Sequence, residues 1–194
     1  MKMRSVLAIL LWMAWVTPTF AADPPEVAAR ARLEKIVAAE PDNALALVEL
    51  GELEYHAQRF DEAQKLLQRA VRVKPESAPG WLALGVVACE TGKLDAALAA
   101  LSQAVLLEPR NPKAHSYLGV TVGRKGWLDA AESELQRALE LDETLAEAHF
   151  NLAVVYLQES PPMVELARRH YHRARDLGAA PDSLIENQLK RSKE

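Results

Sequence analysis

The chain repeats itself every 34 residues, and that period constrains the fold more than any other feature. Gly51, Gly85 and Gly119 stand in step, preceded by Leu50, Leu84 and Leu118. Asp61, Asp95 and Asp129 follow ten residues after each glycine, then Ala63, Ala97 and Ala131, then Ala70, Ala104 and Ala138. A fixed period of this length marks units that cannot bury their apolar faces alone, so neighbours must stack. In the central unit, Ala78–Asn111, apolar and small residues recur three and four apart in two runs, which predicts two helices joined by a short turn. A helical glycine costs about 1 kcal/mol relative to alanine. Its recurrence at 51, 85 and 119 therefore predicts close approach of the second helix. Gly92 and Gly126 fall between the helices, where a left-handed, helix-ending conformation suits glycine. Asp95 and Asp129 stand where an N-cap or a first-turn acid would support the second helix.

These residues resemble the tetratricopeptide repeat (TPR), whose unit carries W-x2-L-G-x2-Y, then A-x3-F, then A, then P. The central unit supplies Trp81, Leu84, Gly85 and Ala88, then Ala97, Leu101, Ala104 and Pro109. The expected units are 44–77, 78–111, 112–145 and 146–181, the last divergent with a two-residue insertion around Pro161–Pro162. Residues 22–43 give a leading half unit (Ala29, Leu33, Ile36, Pro41), and 182–194 a capping helix and tail bearing Leu184, Ile185 and Leu189. The resemblance implies an all-α fold: a right-handed superhelical solenoid of helix-turn-helix units with a C-terminal capping helix.

Residues 1–21 are of another kind. Lys2 and Arg4 precede an unbroken apolar run, Val6–Val16. A bilayer span needs about 20 residues, so this run is too short. Thr19-Phe20-Ala21 offers a small-x-small cleavage site with Ala22 as the new N-terminus. An export signal peptide is expected, with the protein periplasmic or secreted and no stable membrane span after cleavage. Without Lys2 and Arg4 the chain has 21 basic residues against 27 acidic ones, a net charge of about −6. That balance argues against nucleic acid, whose binding rests on neutralising phosphates.

No catalytic residue, metal site or cofactor is expected. The sequence contains no H-E-x-x-H, G-x-S-x-G or glycine-rich phosphate loop. His115 and His149 occupy the Trp81 place in units three and four. Equivalent places on stacked helices lie about 8–10 Å apart, whereas zinc needs its ligands at about 2 Å, so both read as packing residues. His170 and His172 turn to different sides of one helix. Cys89 is the one cysteine and has no partner for an internal disulfide.

At about 100° per residue, a second stripe on the first helices faces away from the packing stripe. It comprises Leu45, Val48, Glu52 and Tyr55, then Pro79, Leu82, Val86 and Cys89, then Lys113, Ser116, Val120 and Gly123, then Glu147, Phe150, Val154 and Leu157, with Glu52, Lys113 and Glu147 towards the edges. The resemblance implies that these positions line a concave groove and touch a protein or peptide partner. The stripe reads as mostly apolar, which suits a partner helix or an apolar extended peptide. Val86→Arg is expected to spare the fold and abolish partner binding. TPR proteins that clamp the C-terminal carboxylate of chaperones do so at positions read here as Val48, Glu52, Ala83, Lys113 and Tyr117, of which only Lys113 fits. The implied function is a non-catalytic interaction scaffold or adaptor in a cell-envelope assembly. A self-associating structural subunit (a homo-oligomer) and a regulatory subunit of an envelope enzyme complex are the alternatives.

Overall fold

The computed structural model describes residues 25–191, where the sequence period becomes a series of helical pairs. The expected signal segment, 1–21, lies outside the described residues. Helix α1 spans Pro25–Ala39. Four pairs follow: α2 (Ala44–His56) with α3 (Phe60–Val73), α4 (Ala78–Glu90) with α5 (Leu94–Leu107), α6 (Pro112–Arg124) with α7 (Leu128–Leu141), and α8 (Ala146–Gln158) with α9 (Val164–Asp176). Helix α10 (Ser183–Arg191) follows, and no strand occurs among the described residues. The helices of a pair lie against each other, and each second helix also packs on the first helix of the next pair. The first helices α2, α4, α6 and α8 meet along one side of the stack. The result is an all-α solenoid. No described helix is long and apolar enough to cross a membrane.

Local chemistry explains the helix boundaries. Asn43, Ser77 and Asn111 cap α2, α4 and α6 by accepting from the amides of Ala46 at 3.0 Å, Gly80 at 3.3 Å and Ala114 at 3.2 Å. The fourth place in this series holds Leu145, which cannot cap. The second helices have no side-chain cap, so Asp61, Asp95 and Asp129 serve in the first turn, where their charge complements the helix dipole. Gly92 and Gly126 end α4 and α6 at φ +73° and +83°. Gln58 holds the same place after α2 at φ +59°, where a side chain strains the backbone. Gln58→Gly is therefore expected to raise the unfolding free energy by about 0.5 kcal/mol, the strain relieved less the extra chain entropy of glycine. Urea unfolding checks this, and a lower midpoint would contradict it.

Packing follows the glycine series. A Cβ built at Gly51, Gly85 or Gly119 would meet the Cγ of Leu67, Leu101 or Leu135 at 2.7, 2.5 and 2.8 Å. These three leucines are completely buried. In the fourth pair the corresponding places hold Ala153 and Tyr171, both buried. A second series closes the turns between units. Trp81 donates Nε1–H to the Pro75 carbonyl at 2.7 Å, and His115 and His149 place Nε2 at 3.1 and 3.2 Å from the carbonyls of Pro109 and Glu143. What the tryptophan and the two histidines share is a ring N–H at the same reach.

The ends of the stack are tied down by polar contacts. Glu54, only 2% exposed, accepts from Arg30 of α1 at 2.7 Å and pairs with Arg59 at the start of α3. At the other end Asp182 caps α10 by accepting from the amides of Leu184 and Ile185 at 2.8 and 3.0 Å. Ile185 and Leu189 are buried, whereas Leu184 is 74% exposed and contributes nothing to the cap's inner face. The α8–α9 turn takes five residues, 159–163, where the other pairs use three.

Candidate functional site

The side of the stack formed by the first helices carries the candidate site. A cleft of about 290 Å³ opens between the end of α4, the face of α6 and the start of α8. It is lined by Glu90, Lys113, Ser116, Tyr117, Val120, Leu145, Glu147 and Asn151. A second recess of about 430 Å³ adjoins it between α8 and residues 177–180, sharing Glu147 and Asn151 and adding Phe150. Leu145 thus lines the cleft at the position where the other units carry a helix cap.

The sequence-expected residues divide into three groups. Lys113, Ser116, Val120, Glu147 and Phe150 line the two recesses. Val48, Val86 and Cys89 are buried at 5%, 8% and 2% exposure and belong to the core. Leu82, Val154 and Leu157 lean on that core and are only partly exposed, Tyr55 is half-buried beside Phe60, and Glu52 is exposed. The groove expected to be mostly apolar does present more apolar than polar surface in both recesses, with charged and polar side chains set among it. Val48, Val86 and Cys89 turn inward because adjacent first helices meet along this side and bury what lies between them. Val86→Arg would force a charge into that seam, so it would disrupt the fold rather than spare it.

Three lining residues outside the expected stripe share one relation. Tyr117 follows Lys113 by four, Asn151 follows Glu147 by four, and Glu90 follows Val86 by four. Residues four apart sit one turn along the same helix face. The lining row is thus the expected stripe continued by its i+4 neighbours, a signal present in the sequence.

Polar groups in the cleft lack internal partners. Some carboxylates elsewhere are engaged, Glu54 with Arg30 and Arg59, Asp95 with Lys125 and Glu134 with His115, while others such as Asp61, Glu76 and Asp129 stand free in solvent. Glu90, Glu147, Ser116, Asn151 and the hydroxyls of Tyr55 and Tyr117 find no hydrogen-bond or ion-pair partner among the described residues. Burial pushes the Tyr117 phenol up, and Tyr55, Glu90 and Glu147 push it further. Tyr55 is raised by burial and then by Glu90. Partial desolvation raises Glu52, with His56 and Lys113 pulling the other way. Cys89 is a free thiol whose carbonyl accepts from Arg124 Nη1 at 2.5 Å, which ties the end of α4 to α6.

Titratable groups also meet away from the cleft. His149 and His170 face each other with their Nδ1 atoms 2.9 Å apart, a pairing hidden in the sequence because 21 residues separate them. Since His149 Nε2–H donates to the Glu143 carbonyl, its Nδ1 accepts from His170 Nδ1–H. Burial holds both imidazoles below their ordinary range. Among the described residues no group of three or more His, Cys, Asp or Glu could hold a metal ion.

Comparison with known proteins gives a consistent picture. A family model described as tetratricopeptide repeat matches residues 27–85 and 59–120. The fold is similar to the crystal structure of MamA, with 21% identity, a TM-score of 0.67 and coverage of 87% of this chain and 92% of that one. It is also similar to YrrB, described as a TPR protein with an unusual peptide-binding site, at 25% identity and TM-score 0.66, over 87% of this chain and 84% of that one. A third similar structure is TTC0263, a thermophilic TPR protein in Thermus thermophilus, at 24% identity and TM-score 0.66, over 87% and 90% of the two chains. No curated protein sequence matches the chain.

Proposed function

The chain belongs to the tetratricopeptide repeat family, and from that premise we propose that it is an exported adaptor that holds a segment of a partner protein in the cleft between α4, α6 and α8. TPR proteins are in general non-catalytic interaction scaffolds that bind protein or peptide partners. The observation that carries the finer reading is the set of unpartnered polar side chains in the cleft. These groups open to solvent, Glu90 and Glu147 as exposed side chains, so no internal bond has to be broken for a bound polypeptide to exchange their water for direct partners. The similar protein YrrB is itself described by a peptide-binding site. The basic start, short apolar run and small-x-small site of residues 1–21 support export, and a cell-envelope assembly is the setting that follows from it.

Two experiments test this reading. Asn151→Trp fills the cleft by volume without changing its charge. It is expected to weaken partner retention from cell-envelope extracts at least 10-fold while unfolding within about 1 kcal/mol of wild type. Retention of the same proteins by wild type and variant would remove the cleft from the mechanism, and retention of the chain alone would make it a self-association site. Expressed in a bacterial host, the protein is expected in the periplasm with Ala22 as its first residue. Unprocessed protein confined to the cytoplasm would overturn the export reading.

A further inference from the structure

Three features of the cleft bear on the chemistry of its ligand. The first is Ser116, which is 6% exposed, lines the cleft and finds no hydrogen-bond partner among the described residues. A helical serine can bond back to its own backbone, as Thr121 does to the Tyr117 carbonyl at 2.8 Å. Ser116 does not: the residue is buried, and its hydroxyl, open at the cleft wall, is left for a ligand. Asn151 adds an amide that both donates and accepts and that lines both recesses.

The second feature is charge. Glu90 enters from α4 and Glu147 from α8, on opposite sides of the α6 face, and neither has an ion-pair partner among the described residues. Lys113 is the one basic side chain lining the cleft. Its charge also acts on Glu52 of α2, so it does not answer both cleft carboxylates. The Tyr117 phenol, raised by burial and then by Tyr55, Glu90 and Glu147, lies in a negative field. An acidic segment would meet like charge here, and a cation would meet two carboxylates and an aromatic ring.

The third feature is size. A cleft of about 290 Å³ accepts a few side chains. A helix satisfies its own backbone, so it would offer the serine and the amide only its side chains. An extended strand fits the space and brings unpaired N–H and C=O groups to them.

Resting on the reading of the cleft as a peptide site, we infer that its ligand is an extended protein segment carrying a lysine or arginine. Glu90 and Glu147 receive the cation, and Ser116 and Asn151 hold the backbone beside it.

The test is selection of a phage-displayed library of random 12-residue peptides on the immobilised protein. Enriched peptides are then synthesised and titrated against wild type, Glu90→Gln/Glu147→Gln, Ser116→Ala and Asn151→Trp, with folding of each variant verified by urea unfolding. The expected result is enrichment of lysine or arginine at a shared position. Binding should be at least 10-fold weaker to the double glutamine variant, weaker to Ser116→Ala, absent with Asn151→Trp, and reduced by salt. Peptides that require an open cleft but are acidic or neutral, or that ignore the two substitutions, would overturn the basic ligand and leave the peptide-binding cleft standing. Absence of enrichment, or peptides that bind Asn151→Trp as well as wild type, would overturn both.

Discussion

Replacing Gly85 with leucine is expected to lower the unfolding free energy by about 3 kcal/mol or more, the largest single-site loss in the stack. The first added carbon alone would lie 2.5 Å from Leu101 Cγ, 2.8 Å from its Cδ2 and 3.2 Å from its backbone nitrogen. Leu101 is completely buried and cannot swing aside, so α4 and α5 must separate. Removing a helical glycine returns only about 1 kcal/mol of propensity, against about 1–3 kcal/mol or more for overpacking. Gly85→Ala should therefore lose less than Gly85→Leu, and adding Leu101→Ala to Gly85→Ala should recover part of that loss, a coupling that a double-mutant cycle reads directly. Because each unit is stabilised by its neighbours, a breach at the second unit also weakens the stack on either side. An unchanged urea midpoint for Gly85→Leu would show that the helices do not need this close approach.

Removing both Arg30 and Arg59, as alanines, is expected to be costly for a different reason and to change how stability depends on pH. Glu54 is buried, and burial alone would raise its carboxyl, but the hydrogen bonds from Arg59 and Arg30 outweigh that and hold it below the ordinary 4.5. In the wild type this depressed value means that the contribution of Glu54 is present above pH 4.5 and is lost as pH falls through the folded value. Without the arginines only burial acts, and the folded value rises above 4.5. The contribution is then present below pH 4.5 and lost as pH rises through the raised value. Leaving the Glu54 carboxylate buried and unpaired costs about 3 kcal/mol at neutral pH. Acidification from pH 7 towards 5 should therefore narrow the gap between variant and wild type. A gap that stays constant over that range in urea unfolding would mean that water reaches Glu54 once the arginines are gone. Each single variant leaves one arginine in place and should lose less.

These two sites differ in how far the sequence announced them. The glycine series was legible because it repeats: a residue unfavourable in a helix, kept at 51, 85 and 119, needs a packing reason. The Glu54 clamp carries no such mark. Its partners come from α1 and from the turn before α3, and one glutamate within a helical pattern looks like any solvated charge. The histidines fall between these cases. Their shared place with Trp81 identified His115 and His149 as structural, but the hydrogen bonds to the Pro109 and Glu143 carbonyls, and the approach of His170 to His149, emerge only when the turns are folded.

The cleft divides along the same line. Its location on the first helices followed from the repeat, and its i+4 row was there to be read in Tyr117, Asn151 and Glu90. Which members face solvent was not. Val48, Val86 and Cys89 carry the same periodic signature as Lys113 and Val120, yet they are buried where adjacent first helices meet.

The helical pairs, their order and their stacking were written in the chain, because they rest on local propensity, periodic apolar faces and glycines whose cost must be offset by contact. Which polar groups find partners, and which are left in the cleft, followed from folding alone. Burial and hydrogen bonding depend on side chains brought together from helices tens of residues apart, and periodicity within one helix holds no record of what the next will cover.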